Sequence, residues 1–326
     1  MKAILCTAYG PPEVLELREI EKPIPRNNEV LIRICATTVT AADCEIRRFE
    51  FPGWIWLPLR LWFGLRRPRR PVLGQELAGD VESAGSDVKR FVPGDRVFAS
   101  SGIGLGAHAE YICLAEEPEG GAIAKIPANL SYEEAATLPY GGREALQFLR
   151  KADIQPGQKV LINGAGGSFG TFAVQLAKLF GAEVTAVDST EKLDMLRSIG
   201  ADHVIDYTRQ SFTDSGEIYD VIFDVLGKSS FVPTVKALGP NGRYLLSNPR
   251  LSQLVRGLWV SKTTGKKVIF GAAAGTSEDL AYLGDLVAAG KLRSIIDRSY
   301  PLERMAEAHR YVESGQKKGN VIITVP

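Results

Sequence analysis

The sequence predicts an α/β protein of two domains, a small β-rich domain and a domain built on a doubly wound parallel sheet. Its 326 residues are about twice the size of a typical single domain. Up to about residue 125 the chain is rich in Gly, Pro and short β-type runs. From about residue 131 onwards, short apolar runs alternate with segments of helical periodicity. This alternation is typical of βαβ units.

The predicted elements follow one another in a simple order. The β-type runs of the first part are 29–34, 77–82 and 96–99. The helical segments of the second part are 132–151, 172–180 and 192–199. The apolar strands that alternate with them are 159–163, 183–187, 203–206, 220–224, 243–246 and 267–270. A last β-type run, 320–325, is expected to return to the first domain.

The composition excludes several classes of protein. Hydrophobic residues make up 45% and charged residues 24% of the chain, which are ordinary values for a globular protein and exclude a disordered or fibrous one. The 39 Lys and Arg against 38 Asp and Glu give a net charge of +1, so we expect no nucleic-acid partner. No apolar run approaches the ~18 residues that a membrane helix needs.

The cysteines and histidines predict neither disulfides nor a clustered metal site. None of the four cysteines belongs to a C-x-x-C pair, and the first residues lack the apolar stretch of a secretory signal. We therefore expect a reducing, cytoplasmic location. His108, His203 and His309 are far apart in the sequence, so a metal site would have to be assembled from scattered residues.

The most informative segment is the glycine loop, residues 164–170, which follows a predicted strand and opens a predicted helix. Read as G-x-G-x-x-G, the loop has Ala165 in the first position, followed by Gly167 and Gly170. Such a loop lets the backbone and a helix N-terminus approach a pyrophosphate, which predicts dinucleotide binding. The predicted contacts are Gly164, Ala165, Gly167, Ser168, Phe169 and Gly170. The alternative is a turn that only packs a helix on a strand.

Asp188 ends the next predicted strand, about 20 residues beyond the loop, where an acidic side chain binds the adenosine ribose. A carboxylate there would repel the 2′-phosphate of NADP(H), so the sequence favours NAD(H). The nearby cations Lys192 and Arg209 keep NADP(H) open. The alternative role of Asp188 is a helix N-cap, shared with Ser189 and Thr190.

Seven short motifs occur along the chain in a characteristic order. They lie at 9–15, 73–79, 93–98, 135–139, 173–178, 200–207 and 318–323. With these motifs the chain resembles the zinc-independent, quinone-oxidoreductase-like branch of the medium-chain dehydrogenase/reductase superfamily. The resemblance implies a discontinuous GroES-like domain over 1–125 and 291–326 and a Rossmann domain over 126–290. It also implies a nicotinamide cofactor and a homodimer.

The resemblance also implies that there is no metal. Zinc-dependent members of the superfamily carry a catalytic Cys, a Gly-His-Glu motif and a later Cys or Asp ligand. The corresponding positions here are Thr40, Gln75 and the thiol-free segment 138–142. A catalytic zinc needs three protein ligands such as His and Cys, which Thr and Gln do not replace.

What remains is hydride transfer to an acceptor that is already electrophilic, and the resemblance implies a quinone or an α,β-unsaturated carbonyl. The candidate catalytic residues are Thr40, Asp43 and Tyr140. The hydroxyl of Tyr140 would donate a hydrogen bond to the developing oxyanion. Each has an ordinary alternative: Thr40 as a strand end, Asp43 as a helix cap and Tyr140 as a packing residue. The proton would come from solvent or from a side chain.

Further cofactor contacts are expected at strand ends that would line the same crevice. They are Ser189, Lys192, Tyr207 beside the adenosine, Val225, Leu226 and Ser247, together with Asn320, where relatives often have Lys or Asn near the nicotinamide.

One departure from the family lies in Arg143-Glu144, where related sequences often have Leu-Thr. An anionic Glu144 near the cofactor phosphates would be unfavourable unless it is paired. The rival hypothesis is therefore a non-catalytic dinucleotide-binding protein, a sensor or structural protein that retains the fold.

The aromatic insert, residues 51–70, holds three of the four tryptophans and is rich in arginine. The sequence favours a lid whose aromatic side chains line an apolar substrate pocket, because the insert precedes the cleft-facing run 73–76. The first alternative is contact with a membrane surface, which would make the protein a membrane-associated reductase of lipid-derived enones. The second is simple packing of the tryptophans beside solvated arginines.

Overall fold

The computed structural model describes residues 1–271 and 275–326, which form two compact units. The first unit comprises 1–143, 275–290 and 296–326, and the second comprises 144–271 and 291–295. The predicted bounds place 126–143 and 275–290 in the Rossmann domain and 291–295 in the GroES-like domain. In the structure the first two stretches belong to the first unit and the third belongs to the second unit. Each unit has its own sheet.

The helices and strands are numbered in chain order. The strands are β1 (Lys2–Cys6), β2 (Leu15–Glu19), β3 (Glu29–Thr38), β4 (Glu76–Ala84), β5 (Arg96–Ser100), β6 (Tyr111–Ala115), β7 (Ala122–Lys125), β8 (Lys159–Asn163), β9 (Glu183–Asp188), β10 (His203–Asp206), β11 (Tyr219–Asp224), β12 (Leu238–Leu246), β13 (Lys267–Phe270), β14 (Ile296–Pro301) and β15 (Asn320–Thr324). The helices are α1 (Ala41–Arg48), α2 (Gly53–Phe63), α3 (Tyr132–Ala136), α4 (Arg143–Lys151), α5 (Ser168–Leu179), α6 (Leu193–Ser198), α7 (Phe231–Lys236), α8 (Leu251–Thr263), α9 (Ser277–Ala288) and α10 (Met305–Glu313).

The first unit is built on a sheet of order β14-β15-β3-β4-β5-β7, with β6 paired to β3. Apart from the parallel pair β14 and β15, the neighbours in this sheet are antiparallel. Alternate side chains of β3, Val30, Ile32 and Ile34, are fully buried in the core, as expected for a strand with one face on the core. Because β15 pairs with β3, the last β-type run does return to the first sheet, as predicted.

The second unit has a six-stranded parallel sheet of order β10-β9-β8-β11-β12-β13. Numbered within the unit, this is the order 3-2-1-4-5-6 of Rossmann folds. Val160, Leu161 and Ile162 on the central strand β8 are fully buried, which reflects helices on both faces of the sheet. The order reverses between β8 and β11, so the carboxyl ends of these two strands mark the place where such sheets bind ligands.

The prediction of a single helix over 132–151 is wrong. The structure has two helices there, α3 and α4, separated by one π-helical turn over Leu138–Gly142. Pro139 explains the interruption, because proline has no N–H to donate and its ring displaces the preceding turn. Gly141 and Gly142 add a low intrinsic helix propensity.

The aromatic insert contains the helix α2, which ends at Phe63 and is followed by Gly64. Gly64 has a φ of +120°, and a Cβ there would lie 2.2 Å from the carbonyl oxygen of Arg67. Only glycine fits this position. None of the helices in the described ranges is long and apolar enough to cross a membrane.

Candidate functional site

The glycine loop turns sharply at the end of β8. Gly164 has a φ of +84°, a conformation that glycine adopts without steric cost. The N–H groups of Gly164 and Ala165 donate to the carbonyl of Val187 on β9, at 3.0 and 3.1 Å. The loop is therefore held against the neighbouring strand before α5 begins at Ser168.

Two glycines of the loop have opposite surroundings. A Cβ on Gly170 would lie 2.3 Å from the carbonyl oxygen of Gly164 and 2.5 Å from the Cα of Ala165, so α5 packs on the loop only because Gly170 has no side chain. A Cβ on Gly167 would meet no described atom within 4 Å. The second position of the motif therefore faces open space at the start of α5, while the third provides close packing, as in dinucleotide-binding loops.

Asp188 is buried at the end of β9 and organises the loop. Its Oδ2 accepts the N–H of Gly166 at 2.7 Å, and its Oδ1 accepts the N–H of Ser189 at 2.9 Å. The Nζ of Lys192, also buried, lies 3.2 Å from Oδ1. Ser189, and not Asp188, is the residue that precedes the next helical turn, and its side chain makes no capping hydrogen bond.

The other predicted cofactor residues of the second unit also lie at the carboxyl ends of its strands. Tyr207 follows β10, its N–H donates to the carbonyl of Asp188 at 3.2 Å, and its side chain is exposed. Val225 follows β11, and its carbonyl accepts a hydrogen bond from the hydroxyl of Ser247 after β12. Leu226 is half-exposed beside Gly164. The parallel sheet thus brings these residues to one edge, as the sequence predicts.

Asn320 differs from these residues because it lies in the first unit, buried at the start of β15. Its predicted place near the nicotinamide stays a prediction.

Thr40 and Asp43 form a capping box at the start of α1. The hydroxyl of Thr40 accepts the N–H of Asp43 at 3.2 Å, and Oδ2 of Asp43 accepts the N–H and the hydroxyl of Thr40 at 2.8 and 2.6 Å. Both side chains are buried, and Oδ1 of Asp43 has no hydrogen-bond partner among the described residues. The capping role that the sequence allows for Asp43 is therefore present, while a catalytic role stays a prediction.

Glu76 is a buried carboxyl group that the sequence analysis did not select. Its Oε1 accepts a hydrogen bond from the hydroxyl of Thr38, and its Oε2 accepts the backbone N–H of Tyr140 at 2.8 Å. Burial raises the pKa of Glu76 to about 7, with a further upward contribution from the charge of Asp43. The signal in the sequence was a carboxylate directly before the apolar residues Leu77 and Ala78, beside Gln75.

Tyr140 is half-buried in the π-helical turn. Glu76 fixes the backbone of this turn and so holds the tyrosine in place.

The structure also brings together two histidines that are distant in the sequence. Nε2 of His108 lies 3.0 Å from the carbonyl oxygen of Thr38, and the ring of His108 lies 5.9 Å from that of His309. The Sγ of Cys44 is 3.3 Å from Nδ1 of His309. Burial raises the pKa of Cys44 to about 12 and lowers the pKa of His309 well below its usual value, so both side chains are neutral.

Within 1–271 and 275–326, no group of three or more His, Cys, Asp or Glu side chains is placed to hold a metal ion.

Arg143, part of the departure noted in the sequence, is buried in the first unit. Its guanidinium donates to the carbonyl of Gly275 at 3.1 Å and to that of Gly120 at 3.3 Å. Arg143 thus links Gly275, which precedes α9, to the turn before β7.

Comparison with known proteins gives matches over the whole chain. Residues 26–128 match the alcohol dehydrogenase GroES-like domain, and residues 199–323 match a family described as zinc-binding dehydrogenase. The 2-methylene-furan-3-one reductase of Solanum lycopersicum is 30% identical over 335 residues, which span 99% of this chain and 79% of the relative. The chloroplastic NADPH-dependent alkenal/one oxidoreductase of Arabidopsis thaliana is 30% identical over 336 residues, with the same two coverages of 99% and 79%.

Among solved structures, the quinone oxidoreductase of Coxiella burnetii is similar over 100% of this chain and 99% of its own, with a TM-score of 0.88 and 30% identity. The chain belongs to the quinone oxidoreductase-like branch of the medium-chain dehydrogenase/reductase superfamily. This membership confirms the predicted fold class, a GroES-like domain combined with a Rossmann domain.

The contrast between Gly170 and Gly167 predicts the stability of two variants of this family member. Gly170→Ala places a Cβ 2.3 Å from a backbone oxygen, and we expect it to cost ~2 kcal/mol or more in the free energy of unfolding. The added Cβ of Gly167→Ala would contact no described atom, so this variant should change the free energy of unfolding by less than ~1 kcal/mol. Urea denaturation followed by circular dichroism measures both. Equal losses in the two variants would contradict the geometry.

The buried Glu76 predicts a pH-dependent stability. Its pKa rises from 4.5 in the unfolded chain to about 7 in the fold, so the folded state binds the proton more tightly. The contribution to stability is complete below pH 4.5 and is lost as the pH rises through about 7, by up to ~3 kcal/mol. Glu76→Gln carries no titratable proton and should flatten this part of the profile.

The measurement is the urea midpoint between pH 5 and pH 8 for the unmodified protein and for Glu76→Gln. The exposed Glu21 provides the control variant Glu21→Gln, which should keep the slope. An unchanged slope in Glu76→Gln would show that another group titrates.

Proposed function

We propose that this chain is an oxidoreductase that transfers a hydride from NAD(P)H to a quinone or an α,β-unsaturated carbonyl. The observation that carries the proposal is the glycine loop at the start of α5, with its open position at Gly167, in a chain whose relatives are named as quinone and enone reductases. The acceptor is a small, electrophilic molecule.

The residues present fit a dinucleotide. Open space at Gly167 leaves room for a pyrophosphate beside the first turn of α5, where backbone N–H groups have no partner within the helix. The loop residues Gly164, Ala165, Ser168, Phe169 and Gly170 would surround the phosphates. Asp188 and Ser189 would bind the adenosine ribose and Tyr207 the adenine, while Val225, Leu226 and Ser247 would contact the nicotinamide half. Asn320 of the first unit stays a candidate cofactor contact.

We infer a preference for NAD(H). The two cations that would attract a 2′-phosphate are both already paired with carboxylates, Lys192 with Asp188 at 3.2 Å and Arg209 with Asp206 at 3.4 Å. The end of β9 therefore presents a neutral ion pair, and a phosphate placed beside it would meet no unpaired cation from this set. One of the relatives is named as NADPH-dependent. A preference for NAD(H) would distinguish this chain from that relative.

The bound cofactor would supply a hydride from its nicotinamide ring, so that two electrons and one proton reach the acceptor as H⁻. A second proton completes the reduction, and it comes from solvent or from a side chain. The protein's part is to hold the acceptor in place and to stabilise the oxyanion that develops on it.

Tyr140 is our candidate for donating a hydrogen bond to this oxyanion. Glu76 acts as a positioning residue, because its carboxyl group holds the backbone N–H of Tyr140 at 2.8 Å. Thr40 and Asp43 are the other candidate catalytic residues. Their hydrogen-bonded pair at the start of α1 places a hydroxyl beside a carboxylate, which is a suitable arrangement for passing on a proton.

Three further properties remain proposals. The absence of a catalytic metal follows from Thr40 and Gln75 in the places of zinc ligands. A homodimer and a cytoplasmic location follow from the family resemblance and from the cysteine usage.

The test of the proposed function is the oxidation of NADH and of NADPH against one panel of quinones and enones, in buffer with EDTA. We expect turnover without added metal and a kcat/KM for NADH about tenfold or more above that for NADPH, a difference of ~1.4 kcal/mol, because the 2′-phosphate would meet no unpaired cation of the set Lys192 and Arg209. Loss of activity in EDTA would overturn the metal-free mechanism. Cofactor binding without turnover of any acceptor would favour the non-catalytic sensor instead.

The ion pair at the end of β9 predicts a selective effect on the two cofactors. Lys192→Met leaves the Asp188 carboxylate uncompensated, so the dissociation constant for NADPH should rise about tenfold more than that for NADH. Titration of intrinsic fluorescence with each cofactor measures the two constants.

Lys178→Met is the matched control, because it breaks another Lys–Asp ion pair of the same unit, with Asp202 at 2.7 Å. It should leave the ratio of the two constants unchanged. A Lys192→Met variant whose ratio equals that of the control would contradict the inferred preference.

A further inference from the structure

The helix α2 of the aromatic insert has two faces, and the apolar stripe faces solvent. Trp54, Leu57, Leu61 and Trp62 are exposed by 46%, 58%, 53% and 60%. Their spacing of i, i+3, i+7 and i+8 places them on one side of the helix. A surface helix of a globular protein ordinarily turns such a stripe towards the core.

The opposite face of α2 is the one that packs on the protein. The guanidinium of Arg60 lies 4.1 Å from the ring centre of Tyr9 and 4.5 Å from that of Phe49. The ring of Phe63 stacks on that of Phe51 at 6.3 Å. These contacts orient α2 so that Trp54, Leu57, Leu61 and Trp62 face solvent.

The insert is also strongly cationic. Between Glu50 and Glu76 the sequence contains no acidic residue, and it contains the five arginines Arg60, Arg66, Arg67, Arg69 and Arg70. The last four are exposed. This local charge stands out in a chain whose net charge is only +1.

The turn at Gly64 places the arginines beside the end of the apolar stripe. The N–H of Arg69 donates to the carbonyl of Phe63 at 2.7 Å, which folds the segment back against the helix. A groove of about 930 Å³ opens next to this turn, and its lining includes Arg18, Arg66, Arg67 and Arg69. Of these, Arg18 is paired with Glu16 at 2.5 Å.

We propose that the aromatic insert docks the protein on the surface of an anionic lipid bilayer. Tryptophan and leucine side chains would enter the region between headgroups and acyl chains, while the arginines would bind the headgroup phosphates. With 11 residues, α2 is ~16 Å long, about half of the ~30 Å hydrocarbon core, so it lies along the surface and does not span it.

The charges on the insert decide between a bilayer and a second copy of the chain. Two copies meeting through this face would bring together four exposed arginines each, with no carboxylate from either insert to offset them. An anionic bilayer offers what the face lacks, a dense layer of negative charge above an apolar phase. The lid that the sequence favours would instead have its tryptophans turned away from solvent.

The experiment is co-sedimentation of the 326-residue chain with vesicles of phosphatidylcholine alone and of phosphatidylcholine mixed with phosphatidylserine. We expect binding to the mixed vesicles, little binding to phosphatidylcholine alone, and weakening by added salt. In a Trp259→Phe background all remaining tryptophans belong to the insert, and their emission should shift to the blue on binding. The readout requires no turnover, so it is independent of the proposed reductase activity.

Two sets of substitutions separate the apolar and the cationic contributions. Trp54→Ala, Leu61→Ala and Trp62→Ala together should weaken binding about tenfold or more. Arg66→Gln, Arg67→Gln and Arg69→Gln together should weaken it about 100-fold. If the first variant fails to fold, the second variant and the salt dependence still decide the question.

The first unit offers matched controls elsewhere on its surface. Ile24 and Val92 are exposed by 84% and 57%, and Ile24→Ala with Val92→Ala should leave binding unchanged. A second control, Arg26→Gln with Lys89→Gln, removes exposed charges outside the insert and should reduce binding far less than the arginine variant does.

Three outcomes would overturn the proposal. The first is equal binding to the two kinds of vesicle, or none to either. The second is self-association that the insert variants abolish, in the absence of vesicle binding. The third is a rise in KM for a water-soluble acceptor in the Trp54, Leu61 and Trp62 variant without any vesicle binding, which would identify the insert as a substrate lid.

Discussion

The contact between Gly170 and the backbone of Gly164 governs the geometry of the second unit. Here α5 packs so closely on the loop after β8 that there is no room for a methyl group at Gly170. The close approach places the first turn of α5 at the carboxyl end of β8, beside the edge where the strand order of the sheet reverses. The open position at Gly167 and the hydrogen bond from Gly166 to Asp188 both depend on that placement.

Much of this unit could be predicted from the sequence, because its elements are local and strongly patterned. The strands β8, β10 and β13 have the bounds that the apolar runs indicate. The glycine motif and Asp188 lie where the fold needs them, since both are tied to strand ends by short-range chain geometry. The helices α7 and α8 were not predicted, and the helix predicted over 132–151, which enters this unit at residue 144, is interrupted by a proline and two glycines.

What the sequence does not show are the side chains that meet through long-range contacts. Cys44 and His309 are separated by 265 positions and lie 3.3 Å apart, and no spacing rule connects them. Glu76 looks like an ordinary residue at the start of a strand until its burial is known, and its raised pKa is a consequence of that burial. Similarly, the sequence identifies Lys192 and Arg209 as available cations, whereas the structure pairs each with a carboxylate.

The aromatic insert lies between two strands of the first sheet, and this position has a consequence for how such proteins diverge. The chain leaves the sheet after β3 and returns in β4, and these two strands are direct neighbours, with Thr37 opposite Leu77. The residues between β3 and β4 form one long connection that begins and ends at neighbouring positions of the sheet. Lengthening such a connection adds little loop entropy and leaves the strand register untouched. A lineage can therefore exchange the surface chemistry of this segment, and with it the surroundings in which the enzyme works, while the fold that carries the reaction stays the same.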